Sequence, residues 1–169
     1  MASISITKMG PWKSVYSGLT GFSRAVDKTN KLVTKKVGLA AVGAIVKNIQ
    51  SGGTLAGIPF APNSEVTIAL KKSSSPLINH GDLIGSINSQ SMGPYKVFAG
   101  VTKMHPSGVN IAQVLHEGTS RAGRGNSVNI PPRPFIGDVA TSPYLTNIIE
   151  KVVEQEYKNM IDRLFGIGI

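Results

Sequence analysis

The chain has 169 residues, of which 41% are apolar and 6% aromatic, with a net charge of +9 at pH 7 and no cysteine. Such a length can bury one core, and the apolar content suits a folded chain rather than a disordered one; the missing cysteine excludes disulfides and thiolate metal sites. The charge is lopsided, with +7 over residues 1–50, +1 over 51–120, +3 over 121–137 and −2 over 138–169, so one end attracts polyanions or an acidic protein surface and the other does not.

Residues 1–20 contain Gly10-Pro11, Gly18 and little periodicity, and Gly21 follows; they read as an N-terminal arm whose Trp12, Val15 and Tyr16 suit a partner subunit. The opening Met1 to Ile6 has no charged start before an apolar run, so no signal peptide is expected. From Phe22 to Gln50 the period becomes helical: Phe22, Val26, Val33, Val37, Ala40 and Ala44 share one face, with Arg24, Lys28, Lys31 and Lys35 opposite. That basic stripe is either a solvated face or a contact for nucleic acid or an acidic partner. Gly38 and Gly43 predict a bend or close packing, because each costs about 0.5–1 kcal/mol relative to Ala in a helix. The longest apolar run, Leu39 to Val46, has eight residues, against the roughly 20 needed to cross a bilayer, and a soluble protein with no membrane contact is expected.

After a loop carrying Pro59 and Pro62, Ser64 predicts the N-cap of a short helix that ends near Lys71-Lys72. The stretch Leu83 to Gln90 leads into a strand, and Tyr95, Val97, Ala99 and Val101 alternate along a second, with Gly93-Pro94 turning between them as a β-hairpin. Ile111 to Glu117 reads as a short helix, and Gly118 to Ser127 as a mobile loop bearing Arg121 and Arg124. In Ile130-Pro131-Pro132-Arg133-Pro134-Phe135 the prolines impose an extended segment that leaves any sheet. They also fix the direction of the Arg133 side chain. Its fork suits a carboxylate, a cluster of backbone carbonyls or a phosphate; Glu117 is the acid expected to meet it, closing the intervening loop at its base. Ser142-Pro143 starts a helix that runs to about Phe165, roughly 34 Å at 1.5 Å per residue. Leu145, Ile149, Val152, Val153, Met160 and Leu164 lie on one face, and Glu150, Glu154, Lys158 and Asp162 on the other.

The motifs of catalysis are missing from this pattern. His80, His105 and His116 lack metal-ligand spacing, and His116-Glu117-Gly118-Thr119 is not His-Glu-x-x-His. The glycines from 118 to 125 do not end in Gly-Lys-Ser/Thr, no serine stands in Gly-x-Ser-x-Gly, and no carboxylate pair stands out for acid–base work. Neither an enzyme nor a cofactor is expected. The fold expected is α+β: residues 21–169 as a single domain, with an antiparallel sheet of three to five strands packed by long N- and C-terminal helices, the latter across one sheet face.

Two blocks also carry a resemblance. His116-Glu117-Gly118-Thr119 followed after a variable loop by Ile130-Pro131-Pro132-Arg133-Pro134-Phe135-Ile136-Gly137, and upstream Pro76-Leu77-Ile78-Asn79-His80-Gly81-Asp82-Leu83-Ile84-Gly85-Ser86-Ile87, together resemble the tail-completion or virion-morphogenesis proteins of Mu-like and related tailed bacteriophages. The resemblance runs from about Pro62 to Gly137, with His80 where that family carries Thr and Pro132 where Ala is common. It implies a structural virion protein, made in the bacterial cytoplasm, that completes the head-proximal end of the tail. It further implies a homo-oligomeric ring in the neck, a hexamer being one candidate, with the tail tube or tail terminator and the head connector as partners. Glu117, Arg133, Pro134 and Phe135 would then form a structural corner or interface. Arg24, Lys28, Lys31, Lys35, Arg121 and Arg124 could touch DNA in the channel, and a basic nucleic-acid-binding protein is the alternative function.

Overall fold

The computed structural model describes residues 12–102 and 110–165; the reading of residues 1–11, His105 and the helix stop at Gly166 lies outside them. In chain order the elements are α1 (Trp12–Gln50), a 3-10 turn (Thr54–Ala56), α2 (Glu65–Lys71), α3 (Asp82–Gly85), β1 (Ile87–Gly93) and β2 (Lys96–Val101), then α4 (Ile111–Glu117), β3 (Thr119–Ala122), β4 (Val128–Ile130), α5 (Gly137–Ala140) and α6 (Pro143–Phe165).

α1 has 39 residues, about 58 Å of helix, and crosses the boundary expected between an arm and a domain at residue 20. Trp12 to Thr20 is helical rather than loose. Extending an existing helix costs far less than nucleating one, so Gly18 and Gly21, at about 1 kcal/mol each, do not stop it. α1 is also the central layer. α6 runs antiparallel along it, pinned by Lys36 Nζ to Glu156 Oε1 at 2.5 Å and by the Tyr157 hydroxyl on Asn30 Oδ1. The β1–β2 ribbon packs on another face, where Gly38 meets Val97 and Ser89. Lys36 and Gly38 are two residues apart, hence about 200° around the helix axis, so α1 has two packing faces where the apolar period suggested one. α6 therefore lies on α1 and not across a sheet.

Close packing at Gly38 is as expected and comes from the missing side chain: a Cβ there would lie 2.4 Å from Val97 Cγ2. Val97 is stiff at χ1 and cannot swing aside cheaply. Gly38→Ala should therefore cost about 1–3 kcal/mol by overpacking, and adding Val97→Ala should recover part of that loss. Denaturant midpoints of the two variants check this; equal loss in both would mean the ribbon is not seated on α1. At Gly43 no atom of the described residues outside the local helix backbone comes within 4 Å of a Cβ at that position.

Among the described residues the strands form two separate antiparallel ribbons, β1–β2 and β3–β4, in place of one sheet of three to five strands. Ile87 pairs with Val101 and Ser91 with Val97, and the ribbon turns at Pro94-Tyr95. The second ribbon occupies the stretch expected to be a mobile loop. It pairs Thr119 with Ile130 and Ala122 with Val128, and turns through Gly123, Gly125 and Asn126, all at positive φ. It cannot lengthen along its second strand, because Pro131 and Pro132 remove the donors directly after Ile130.

The core sits at the C-terminal end of α1. Ala44, Ile45 and Ile49 meet Phe60, Ile87, Phe135, Val139 and Leu145 there, with Leu77, Ile78, Leu83 and Ile84 of the Pro76 block packed around them. The expected caps hold: Ser64 Oγ accepts from Thr67 N, and Ser142 Oγ from Leu145 N.

Candidate interaction surfaces

The Pro131–Phe135 segment is a buried corner. Its backbone is set by Arg133 N, which donates to the carbonyls of Leu115 and His116 at 3.1 and 3.2 Å, tying the segment to the last turn of α4. Gly118 makes the approach possible: its φ is +76°, and a Cβ there would come within 2.7 Å of Ile130 O and Pro132 N. The Arg133 side chain reaches the loop before α2. Its Nε donates to Ala61 O at 2.8 Å and its Nη2 to Pro62 O at 3.0 Å, with Asn63 Oδ1 at 3.5 Å. The residue is only 5% exposed, and desolvation lowers its pKa from the ordinary arginine value, though the guanidinium remains charged.

Glu117 is not its partner. The carboxylate is exposed and accepts from Gln113 Nε2 one helical turn earlier, at 3.2 Å to each oxygen. Of the three ligand types that suit the fork, the backbone carbonyls take it. Beside it Phe135 is fully buried, 5.3 Å from the His116 ring in an edge-on contact at 80°, and Pro134 O accepts from Asp138 N at 3.2 Å at the start of α5. Burial of Lys71, and secondarily the Arg133 charge, lower the Lys71 pKa.

The six candidate cations divide between two elements. Arg24, Lys28, Lys31 and Lys35 are exposed on α1 within an arc of about 60°. Arg121 and Arg124 are exposed on the second ribbon. Lys31 is tied to Asp27 at 2.7 Å, and Asp27 also accepts from the Tyr95 hydroxyl, which latches the turn of the first ribbon onto α1. In this exposed trio the Lys31 hydrogen bond, followed by that of Tyr95, holds the Asp27 pKa below its usual value, and Asp27 raises those of Lys31 and Tyr95. Asp27 and Lys31 are four residues apart, so their pairing was legible as a helical spacing. The Tyr95 contact joins residues 68 apart in the chain and left no local signal.

Among the described residues no three His, Asp or Glu side chains converge as a metal ion would require, and no helix is long and apolar enough to cross a membrane. Comparison with protein-family models, curated proteins and solved structures gave no match.

Proposed function

We propose that this chain is a structural subunit of a tailed-phage virion that completes the head-proximal end of the tail and closes into a ring in the neck, against the tail tube or terminator on one side and the head connector on the other. The resemblance of the Pro76–Ile87 and His116–Gly137 blocks supplies the identity of the assembly. The observation that carries self-association is a seam that the described residues leave uncovered. Val33, Val37, Ala40 and Ala44 lie on one line of α1, and Val15, Leu19 and Phe22 continue that line toward the N-terminus at 100° per residue. Glu156 and Tyr157 of α6 lie level with Lys36 and Asn30, so Phe165 comes level with about residue 25. Beyond that point Val15, Tyr16 and Leu19 are 48%, 75% and 64% exposed, and Phe22 is 45% exposed.

An apolar line that one helix covers along about two-thirds of its length favours another apolar surface along the rest. A second copy of the same chain supplies one by a heterologous contact, the kind that closes rings. Particle imaging of the purified chain tests the reading, with closed rings as the expected result and a monomer at every concentration as the result that overturns it. The double variant Leu19→Glu with Phe22→Glu should weaken association by roughly a hundredfold or more, since each buried apolar side chain contributes about 1.5–3 kcal/mol. Its circular dichroism should stay that of the parent, because neither side chain is in the core. Sedimentation at several concentrations reads both the mass and the loss.

A further inference from the structure

The first ribbon does not close fully onto α1, and between them opens a cleft of about 420 Å³. Lys31 and Lys35 from α1 and Lys96 from β2 stand around it, with the hydroxyls of Thr34, Ser89 and Ser91 between them. The register explains the hydroxyls. Ser89 pairs with Ala99 and Ser91 with Val97, and Ser89 and Val97 are the side chains that meet Gly38, so this face of the ribbon looks at α1. Lys31 has its charge engaged by Asp27. Among the described residues neither Lys35 nor Lys96 has a carboxylate within ion-pair distance. Outside the cleft Lys28 and Arg24 continue the line along α1, so that the row from Arg24 to Lys35 covers about 16 Å at 1.5 Å per residue.

We propose that this cleft, extended by Lys28 and Arg24, binds the sugar–phosphate backbone of a nucleic acid without reading its bases. A straight row of cations about 5 Å apart along α1 calls for a straight row of anions. A phosphodiester chain offers one at every nucleotide, whatever the sequence, whereas a folded acidic partner must supply a matching run of Asp and Glu. Thr34 Oγ1 donates to Asn30 O and Ser91 Oγ to Gly93 O, so Ser89 is the hydroxyl that can donate to a phosphate oxygen, as neutral side chains do at backbone contacts. Base recognition is a different matter. The cleft lining holds no aromatic ring on which a base could stack, and the nearby Tyr95 has its hydroxyl committed to Asp27. The proposal does not depend on ring formation, because one copy of the chain carries the whole row.

The test is fluorescence anisotropy of the full chain with labelled oligonucleotides of about twenty nucleotides, single-stranded and duplex, each in two unrelated sequences. Arg24, Lys28, Lys35 and Lys96, four cations with no ion pair among the described residues, predict that duplex affinity falls about a hundredfold between roughly 50 and 200 mM salt. The two sequences should bind alike. In the double variant Lys35→Gln with Lys96→Gln the slope of log affinity against log salt should become shallower by about 2, with an unchanged melting temperature. A control pair on the outer face of α6, Lys151→Gln with Lys158→Gln, should leave the slope as in the parent. The proposal is overturned if no oligonucleotide binds, if the control pair flattens the slope as much as the cleft pair, or if a glutamate polymer of equal charge binds more tightly than either oligonucleotide.

Discussion

Phe135→Ala is expected to lower the unfolding free energy by about 3–5 kcal/mol, the range for a large aromatic deleted from a packed core, and to lower the melting temperature by about 10 °C for a chain of this size. Phe135 has no exposed surface and stands where the proline corner enters the cluster of Ile45, Ile49, Val139 and Leu145. With His116 against one edge of its ring, the site cannot collapse onto the void without pulling α4 away from the corner. Phe135→Leu keeps most of the volume and should cost less than half as much. Urea denaturation followed by circular dichroism measures both, and a loss below about 1 kcal/mol for the alanine variant would remove Phe135 from the core.

The elements that announce themselves locally were legible in the sequence. Ser64 and Ser142 each place an oxygen where the first free amide of a helix needs one, and both caps form. The first ribbon was legible from its alternation and its Gly93-Pro94 break, and α6 from its apolar period. What stayed hidden depends on contacts between distant parts of the chain. Gly38 in a helical pattern registers only as a local cost, while its use as the seat of Val97 belongs to a strand about sixty residues later. The second ribbon has a strand of three residues followed by prolines, too short for alternation to show. α1 looked one-sided because the side that receives the first ribbon carries Lys31 and Gly38 rather than a run of large apolar residues.

The same limit explains the partner of Arg133. A sequence can nominate an acid for a buried cation, because acids are particular residues, but every residue carries a carbonyl, so a cluster of carbonyls has no signature. Glu117 was the nearest acid in sequence that could meet Arg133 across the insert. Ala61 and Pro62, the residues that take the fork, looked like ordinary loop.

Arg133→Ala is therefore expected to destabilise the chain without any change at Glu117. The substitution removes the bonds from Nε to Ala61 O and from Nη2 to Pro62 O, at 2.8 and 3.0 Å. Hydrogen bonds from a charged donor contribute about 1.5–3 kcal/mol each, and the freed carbonyls lie near enough to the surface to regain water, so the net loss should be about 2–4 kcal/mol. The damage should spread along a defined path. Arg133 also reaches Asn63, whose Nδ2 donates to Ser74 O and Ser75 O at 3.1 Å. Phe60, one residue before Ala61, is a core residue, so amide exchange should quicken at Phe60 and Asn63 while the centre of α1 stays protected. Arg133→Lys keeps the charge and loses the fork, can serve one carbonyl well at most, and should fall about midway. Glu117→Gln removes an exposed carboxylate whose partner is Gln113, and should stay within about 0.5 kcal/mol of the parent. Denaturant midpoints of the three variants decide the matter: if Glu117→Gln lost as much as Arg133→Ala, an ion pair across the second ribbon, and not the carbonyls of residues 61 and 62, would be what holds the corner.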